Sequence, residues 1–340
     1  MTLIAGFQYS DVPLLLGDFM ISRGARGYTL KKVHLVSPNL VVGWTGHLFM
    51  AKPILRDLHN KFNGVRVSRE GLEQFLTNYP VDNSSSMLVH LVGWIVDDAP
   101  RCFLWNSSYP QELFYEPYHV DGLGATVFEN MLRSRGKVGI QGTRTSNVDQ
   151  AVYFALTQSC ILMSDEVLAR NNQQMGFGHG YEVLYYDGQQ FKFIDDILYT
   201  TWDFYYDVNS KGGDFRFYPA VYKYRSFDYY SVVQIYNFET TVTDFNAITP
   251  AFDDMPNLFD NIPGIDITKG TSFPIASNFY CLFFRFQASD NLSSTGSLVF
   301  PAGQPNLPFY IDKANGKEHL NFKFDFLPVL YQRIKDSQPI

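Results

Sequence analysis

Thr2 follows Met1 directly, and a threonine in that place holds the parts of a complete nucleophilic group. Once Met1 is removed, the free α-amine can accept the proton of the residue's own hydroxyl, so nucleophile and base share one residue. An α-amine titrates near 7.7–8.0, which leaves a useful fraction neutral at physiological pH. A small residue such as Thr behind Met is compatible with that trimming.

Other groups that could do chemistry read more plainly as structure. Asp253, Asp254, Asp260 and Asp266 in "DDMPNLFDNIPGIDITKG" lack the alternating ligand spacing of a calcium loop, and read as a solvated segment. His179 lies among glycines and reads as a loop histidine. Cys102, Cys160 and Cys281 are far apart, each in an apolar stretch, which points to buried thiols rather than a metal site or disulfide framework. No metal and no cofactor is expected. Lys223 and Arg225 sit among tyrosines in "YKYRSFDYY", a style used by single-strand nucleic-acid binders. A net charge of -7 argues instead for an exposed sheet face, and against nucleic-acid or anionic-membrane partners. The N-terminus lacks a basic stretch with a cleavable apolar core, and no apolar run reaches the roughly 18 residues of a membrane span. A cytoplasmic location is expected, and the N-x-[ST] triplets at Asn83, Asn106 and Asn291 are then chance matches.

The elements that must position Thr2 follow from periodicity. Strands are expected at 2–9 and 12–19 around "SDVP", and at 32–37 and 40–45 around "SPN". Leu48, Ala51, Leu55, Leu58 and Phe62 form a helical stripe over 48–62, with Pro53 inside it. Further helices are expected at 69–78, 124–135 and 148–169, with strands at 87–96, 101–106, "YEVLYYD" and "QQFKFID". After about residue 212 the texture changes to aromatic alternation, and Phe322, Phe324 and Phe326 read as one half-buried strand. A length of 340 residues suggests two moderate domains, and 30 Phe with 22 Tyr point to abundant sheet.

At these residues the chain resembles the N-terminal nucleophile hydrolases, specifically proteasome β-subunits and their bacterial HslV-type and Anbu-type relatives. Thr2 heads the first strand, "LLLGDF" places Asp18 sixteen residues later, and Lys32 in "KKVHLVSPNLVVGWTG" matches the family lysine at a separation two residues shorter. Gly46 falls where the family uses a backbone N–H as oxyanion donor. The resemblance spans about residues 2–200. It implies an α+β fold, a four-layer αββα sandwich over 1–212, with a β-rich C-terminal extension over 213–340. It also implies a peptide or protein substrate and a homo-oligomer.

Carried over, the resemblance makes Thr2 the nucleophile and Lys32 the cation that lowers its hydroxyl's pKa, with Asp18 orienting Lys32 and Gly46 stabilising the oxyanion. Trp44 then lies at the base of a substrate pocket walled by Ile21, Leu30 and Leu48. Three positions depart from the pattern. "DGLGAT" puts Leu123 where a serine hydroxyl would assist the amine, "MGFGHGYEV" offers Gly176 and His179 in place of aspartate and serine, and "DFMIS" lacks the arginine that often follows the aspartate. Three readings stay open: a threonine peptidase working through an acyl-enzyme, a silent ring subunit or scaffold, and a small-molecule amidase.

Overall fold

A computed structural model describes residues 2–23, 26–81, 87–134, 146–168, 171–218, 220–228, 230–237, 242–251, 274–304, 307–314 and 317–337. Met1, Asn83, Tyr229 and the four loop aspartates Asp253, Asp254, Asp260 and Asp266 lie outside the described residues. Two compact units divide the chain. The first comprises Met1–Ile194, Ser226–Ser231 and Ala247–Pro256, and the second Asp195–Arg225, Val232–Asn246 and Asn257–Ile340.

Unit 1 opens with the hairpin β1 (Ile4–Tyr9) and β2 (Val12–Asp18), then β3 (Met20–Arg23), β4 (Arg26–Thr29), β5 (Val33–Ser37) and β6 (Leu40–Gly46). Ser10 and Asp11 both have positive φ, 50° and 63°, which is the two-residue turn whose twist suits a tight hairpin. Helices α1 (Leu48–Phe62) and α2 (Arg69–Thr77) follow, then β7 (Val89–Val96), β8 (Pro100–Asn106), β9 (Leu113–Glu116) and β10 (His119–Asp121). The unit continues with α3 (Ala125–Ser134), α4 (Asn147–Leu168), α5 (Asn171–Met175), β11 (Tyr181–Tyr186) and β12 (Phe191–Phe193).

Two five-stranded sheets carry unit 1, in the orders β10-β1-β2-β11-β12 and β5-β6-β7-β8-β9. Ile4, Leu15, Val33, Val41, Val92, Trp94 and Leu184 bury one another in a common cluster, and the Trp94 indole donates to Leu14 O at 2.9 Å. Apolar burial of this kind supplies the main favourable term of folding. Helix α4 packs on β1, β2 and β11, and α1 packs on β5, β6 and β7. The expected helical stripe on α1 is present, with Ala51, Leu55, Leu58 and Phe62 all buried.

Apart from Ser226, Ser231, Ala247 and Ile248 at strand ends, which fall in unit 1, unit 2 holds β13 (Ile197–Asp207), β14 (Gly212–Phe217), β15 (Ala220–Ser226), β16 (Ser231–Asn237), β17 (Val242–Ile248), β18 (Phe279–Ala288), β19 (Ser293–Pro301), β20 (Phe309–Ala314), β21 (Lys317–Phe322) and α6 (Phe326–Ser337). Seven strands form one sheet, with β13 and β18 parallel at its centre. Trp202, Phe204, Phe215 and Phe322 bring their rings within 4.9–5.9 Å of one another in its core. Lys223 is buried in an ion pair with Asp196 at 2.7 Å, and Arg225 pairs with Asp195 at 3.1 Å, so neither cation projects as a basic patch.

The four-layer αββα class is corrected by this inventory. Among the described residues strand outweighs helix, 45% to 26%, with a seven-stranded sheet and two separate two-stranded ribbons beside the five-stranded pair. The cause lies in the high content of Phe and Tyr, which favour a pleated, half-buried surface. The expected strand through Phe322, Phe324 and Phe326 is corrected as well. It ends at Phe322, and α6 starts at Phe326, burying Leu327, Leu330, Tyr331 and Ile334 at helical spacing.

Unit 1 also buries an ion pair that clamps distant chain. Lys31 Nζ meets Glu182 Oε1 at 2.8 Å with both side chains fully buried, donates to Phe227 O at 2.8 Å and Ser231 Oγ at 3.0 Å, and lies 3.9 Å from the Phe193 ring. Removing one partner of such a pair leaves an uncompensated buried charge, at a cost of about 3–5 kcal/mol. Lys31→Met is therefore expected to destabilise the protein by that amount in urea titration, and Lys31→Met with Glu182→Leu to recover most of the loss. A single variant within 1 kcal/mol of wild type, taken as about the noise of such titrations, contradicts this.

Candidate functional site

Hairpin register explains the sixteen-residue spacing of Thr2 and Asp18. Ile4 pairs with Gly17 across β1 and β2, so the next pair outward is Leu3 with Asp18, and Asp18 N donates to Leu3 O at 3.1 Å. Asp18 thus ends β2 beside the start of the chain. Thr2 Oγ1 donates to Asp18 Oδ1 at 2.7 Å, and Leu3 N donates to the same oxygen at 2.9 Å. Thr2 is 2% exposed and Asp18 fully buried.

Lys32 arrives from the other sheet. Trp44 N donates to Lys32 O at 3.1 Å, extending the β5–β6 pairing by one step, and the side chain reaches Asp18 Oδ1 at 2.7 Å. Its ammonium also donates to Met20 O. Burial pushes the Lys32 pKa down, and the neighbouring Asp18 carboxylate only partly restores it. The arrangement places the hydroxyl of Thr2 and the ammonium of Lys32 on one carboxylate oxygen.

A glycine-rich turn closes the other side of that carboxylate. Gly178 N donates to Asp18 Oδ2 at 2.8 Å, and the adjoining His179 N donates to Glu166 Oε2 of α4 at 2.9 Å. Gly178 has φ +122°, and a Cβ there would stand 2.5 Å from Glu166 Oε1, so only glycine fits. The run "GFGHG" therefore bridges two buried carboxylates by its backbone. Burial also pushes the His179 ring pKa down.

The loop after β10 grips Thr2 from the backbone. Gly124 N donates to Thr2 O at 3.2 Å. Gly122 has φ +95°, and a Cβ there would lie 2.2 Å from Thr2 O. The intervening Leu123 is 55% exposed. Gly46 ends β6 with φ +95°, paired with Val89, and no hydrogen bond joins it to Thr2 among the described residues. Gly176 has φ +88°.

Of the residues expected to wall a substrate pocket, Trp44 is buried in the hydrophobic cluster under α1 and α2, with Ile21 and Leu48 packed against it. The Trp44 indole donates to Lys31 O at 3.4 Å. Leu30 is half-buried, and its N–H donates to Phe19 O at 2.9 Å.

Two features escaped the reading of sequence. Glu166 is one, a carboxyl that burial raises to about 7 against the hydrogen bonds of Tyr181, His179 and Gln173. The other is a cluster at the strand ends near Thr2. Thr45 Oγ1 donates to Asp121 Oδ2, and His90 Nδ1 lies 3.0 Å from the same oxygen. Thr45 and Asp121 stand in "GWTG" and "DGLG", each next to a glycine, but their partner His90 has no local signal. Among the described residues no group of three or more His, Cys, Asp or Glu could hold a metal ion. All three cysteines are buried and outside any disulfide. No helix there is long and apolar enough to cross a membrane.

No protein-family model matches the chain, and no curated protein matches it.

Glu166 gives a pH signature. Its folded-state pKa of about 7 stands above the ordinary 4.5, so the native state holds a proton that the unfolded chain releases between those values. The associated stability is complete below pH 4.5 and is lost as pH rises through about 7, a difference of roughly 3 kcal/mol. Relative to Glu166→Gln, the wild type should therefore lose about that much between pH 4.5 and pH 8. Parallel urea-unfolding profiles for the two proteins would refute it.

Proposed function

We propose that the chain is an N-terminal threonine hydrolase that cleaves peptide amide bonds through an acyl-enzyme. The observation that carries this reading is the Thr2–Asp18–Lys32 contact, a hydroxyl and a buried ammonium sharing one carboxylate oxygen. With Met1 removed, the Thr2 amine takes the hydroxyl proton as Oγ1 attacks the substrate carbonyl. The tetrahedral intermediate then expels the leaving amine, leaving an ester on Thr2, and water hydrolyses that ester. Lys32 raises the local positive potential and favours the developing alkoxide, while Asp18 keeps Lys32 and Thr2 in register. Gly46 is the backbone donor assigned to the oxyanion.

The matching substrate is a peptide or protein segment with a small uncharged side chain before the scissile bond, because Trp44 fills the base of the assigned pocket and an unpaired charge buried there is costly. A cytoplasmic homo-oligomer completes the proposal. A silent scaffold is the competing reading, and the near-complete burial of Thr2 favours it.

Intact mass and a β-lactone probe separate the two. The active reading expects a species lacking Met1 whose Thr2 is acylated, and complete loss of peptide hydrolysis in Thr2→Ala. A processed protein with a free Thr2 amine that resists labelling leaves the scaffold.

A further inference from the structure

The cluster of Thr45, His90 and Asp121 lies beside the Thr2 site and has no part in the acyl-transfer scheme above. Its three members come from different strands. Thr45 and His90 are cross-strand partners on β6 and β7, and Asp121 ends β10, where it pairs with Ile4 of β1. Asp121 Oδ2 receives the Thr45 hydroxyl and faces His90 Nδ1 at 3.0 Å. The next residue, Gly122, lies against Thr2 so closely that an added Cβ would be 2.8 Å from Thr2 Cγ2. Thr45 in turn precedes Gly46. Through Asp121 the cluster is therefore carried into the segment whose Gly122 and Gly124 grip the Thr2 backbone.

Chemically, the pair is a histidine with one ring nitrogen committed to a carboxylate and the other, Nε2, left to act. The Thr45 hydroxyl fixes the carboxylate, and the carboxylate fixes the ring. The hydrogen bond that the His90 ring donates to Asp121 raises the His90 pKa above its ordinary value against the effect of burial. The same bonds from His90 and Thr45 hold the Asp121 carboxyl below its usual range although burial opposes them. The His90 side chain keeps 30% of its surface open to solvent, so it can exchange protons with bulk water.

We propose that His90, oriented by Asp121, is a catalytic acid and base of the Thr2 reaction, taking the place of the hydroxyl that Leu123 lacks. This rests on the hydrolase reading. During acylation the Thr2 amine takes the hydroxyl proton, and the imidazolium of His90 gives its Nε2 proton to the leaving nitrogen as the C–N bond breaks. During deacylation the neutral imidazole takes a proton from the attacking water as its oxygen bonds to the acyl carbon. The Thr2 ammonium returns its proton to Oγ1 as the ester bond breaks, and both groups regain their starting states.

A leaving nitrogen needs that proton, whereas a nitrophenolate does not. With protein lacking Met1, a peptidyl coumarin amide and the p-nitrophenyl ester of the same peptide serve as paired substrates. His90→Gln is expected to lower amide turnover about 100-fold, the low end of general acid–base contributions, while ester turnover stays within a few-fold. Imidazole added to His90→Gly should restore part of the amide turnover, which a merely structural role would not permit. Asp121→Asn should reproduce the amide-selective loss in weaker form, and serves as the second variant if His90→Gln fails to fold. Equal losses on both substrates, or undiminished amide turnover, overturn the assignment of His90 and leave the Thr2 reading standing. Wild-type protein inert toward both substrates overturns the Thr2 reading and this assignment with it.

Discussion

The carboxylate of Asp18 organises the start of this chain. It is fully buried, and it accepts from the Thr2 hydroxyl, the Leu3 and Gly178 backbone N–H groups and the Lys32 ammonium. A buried charge persists only where it is paired and hydrogen-bonded, and these four donors satisfy both requirements. They come from three stretches of chain far apart in sequence, so the order of the β1–β2 hairpin, the edge of β5 and the turn before β11 are mutually dependent. Loss of any one donor leaves the others holding an under-satisfied charge.

The same economy recurs around it. Glu166 holds the other end of the turn that supplies Gly178 N, and Gly122 and Gly124 press on the Thr2 backbone from a third direction. Close packing of this sort leaves little room for rotamer change. The exposed Leu123 interrupts an otherwise polar or glycine-built shell.

Much of this arrangement was legible in the sequence where local rules govern. The "SDVP" turn between two apolar runs sets the hairpin register, and register alone brings residue 18 to residue 3. The α1 stripe read true for the same reason, since a helix is defined by contacts within a few residues. Elements decided by distant packing were harder. The stretch that runs into α6 shows Phe alternation that mimics a strand, but Leu327, Leu330, Tyr331 and Ile334 also fit a helix, and burial in the core of unit 2 decides between the two periods. His90 and Asp121 are 31 residues apart, and Thr45 and Asp121 are 76 apart, so only strand pairing reveals that they meet. The β-rich class was visible in the aromatic count, while the division of strands among sheets was not.

Lys31 and Lys32 are adjacent in sequence and both buried, yet one holds Glu182 and the other Asp18. Successive residues of extended chain project to opposite faces, so two neighbouring ammoniums can serve two separate carboxylates without repelling each other at close range. Sliding this segment by a single residue would move each ammonium to the face the other had held, stranding both carboxylates and both cations at once. The doublet therefore works as an electrostatic key to strand alignment, penalising a misregistered compact state far more heavily than an apolar pair at the same positions would.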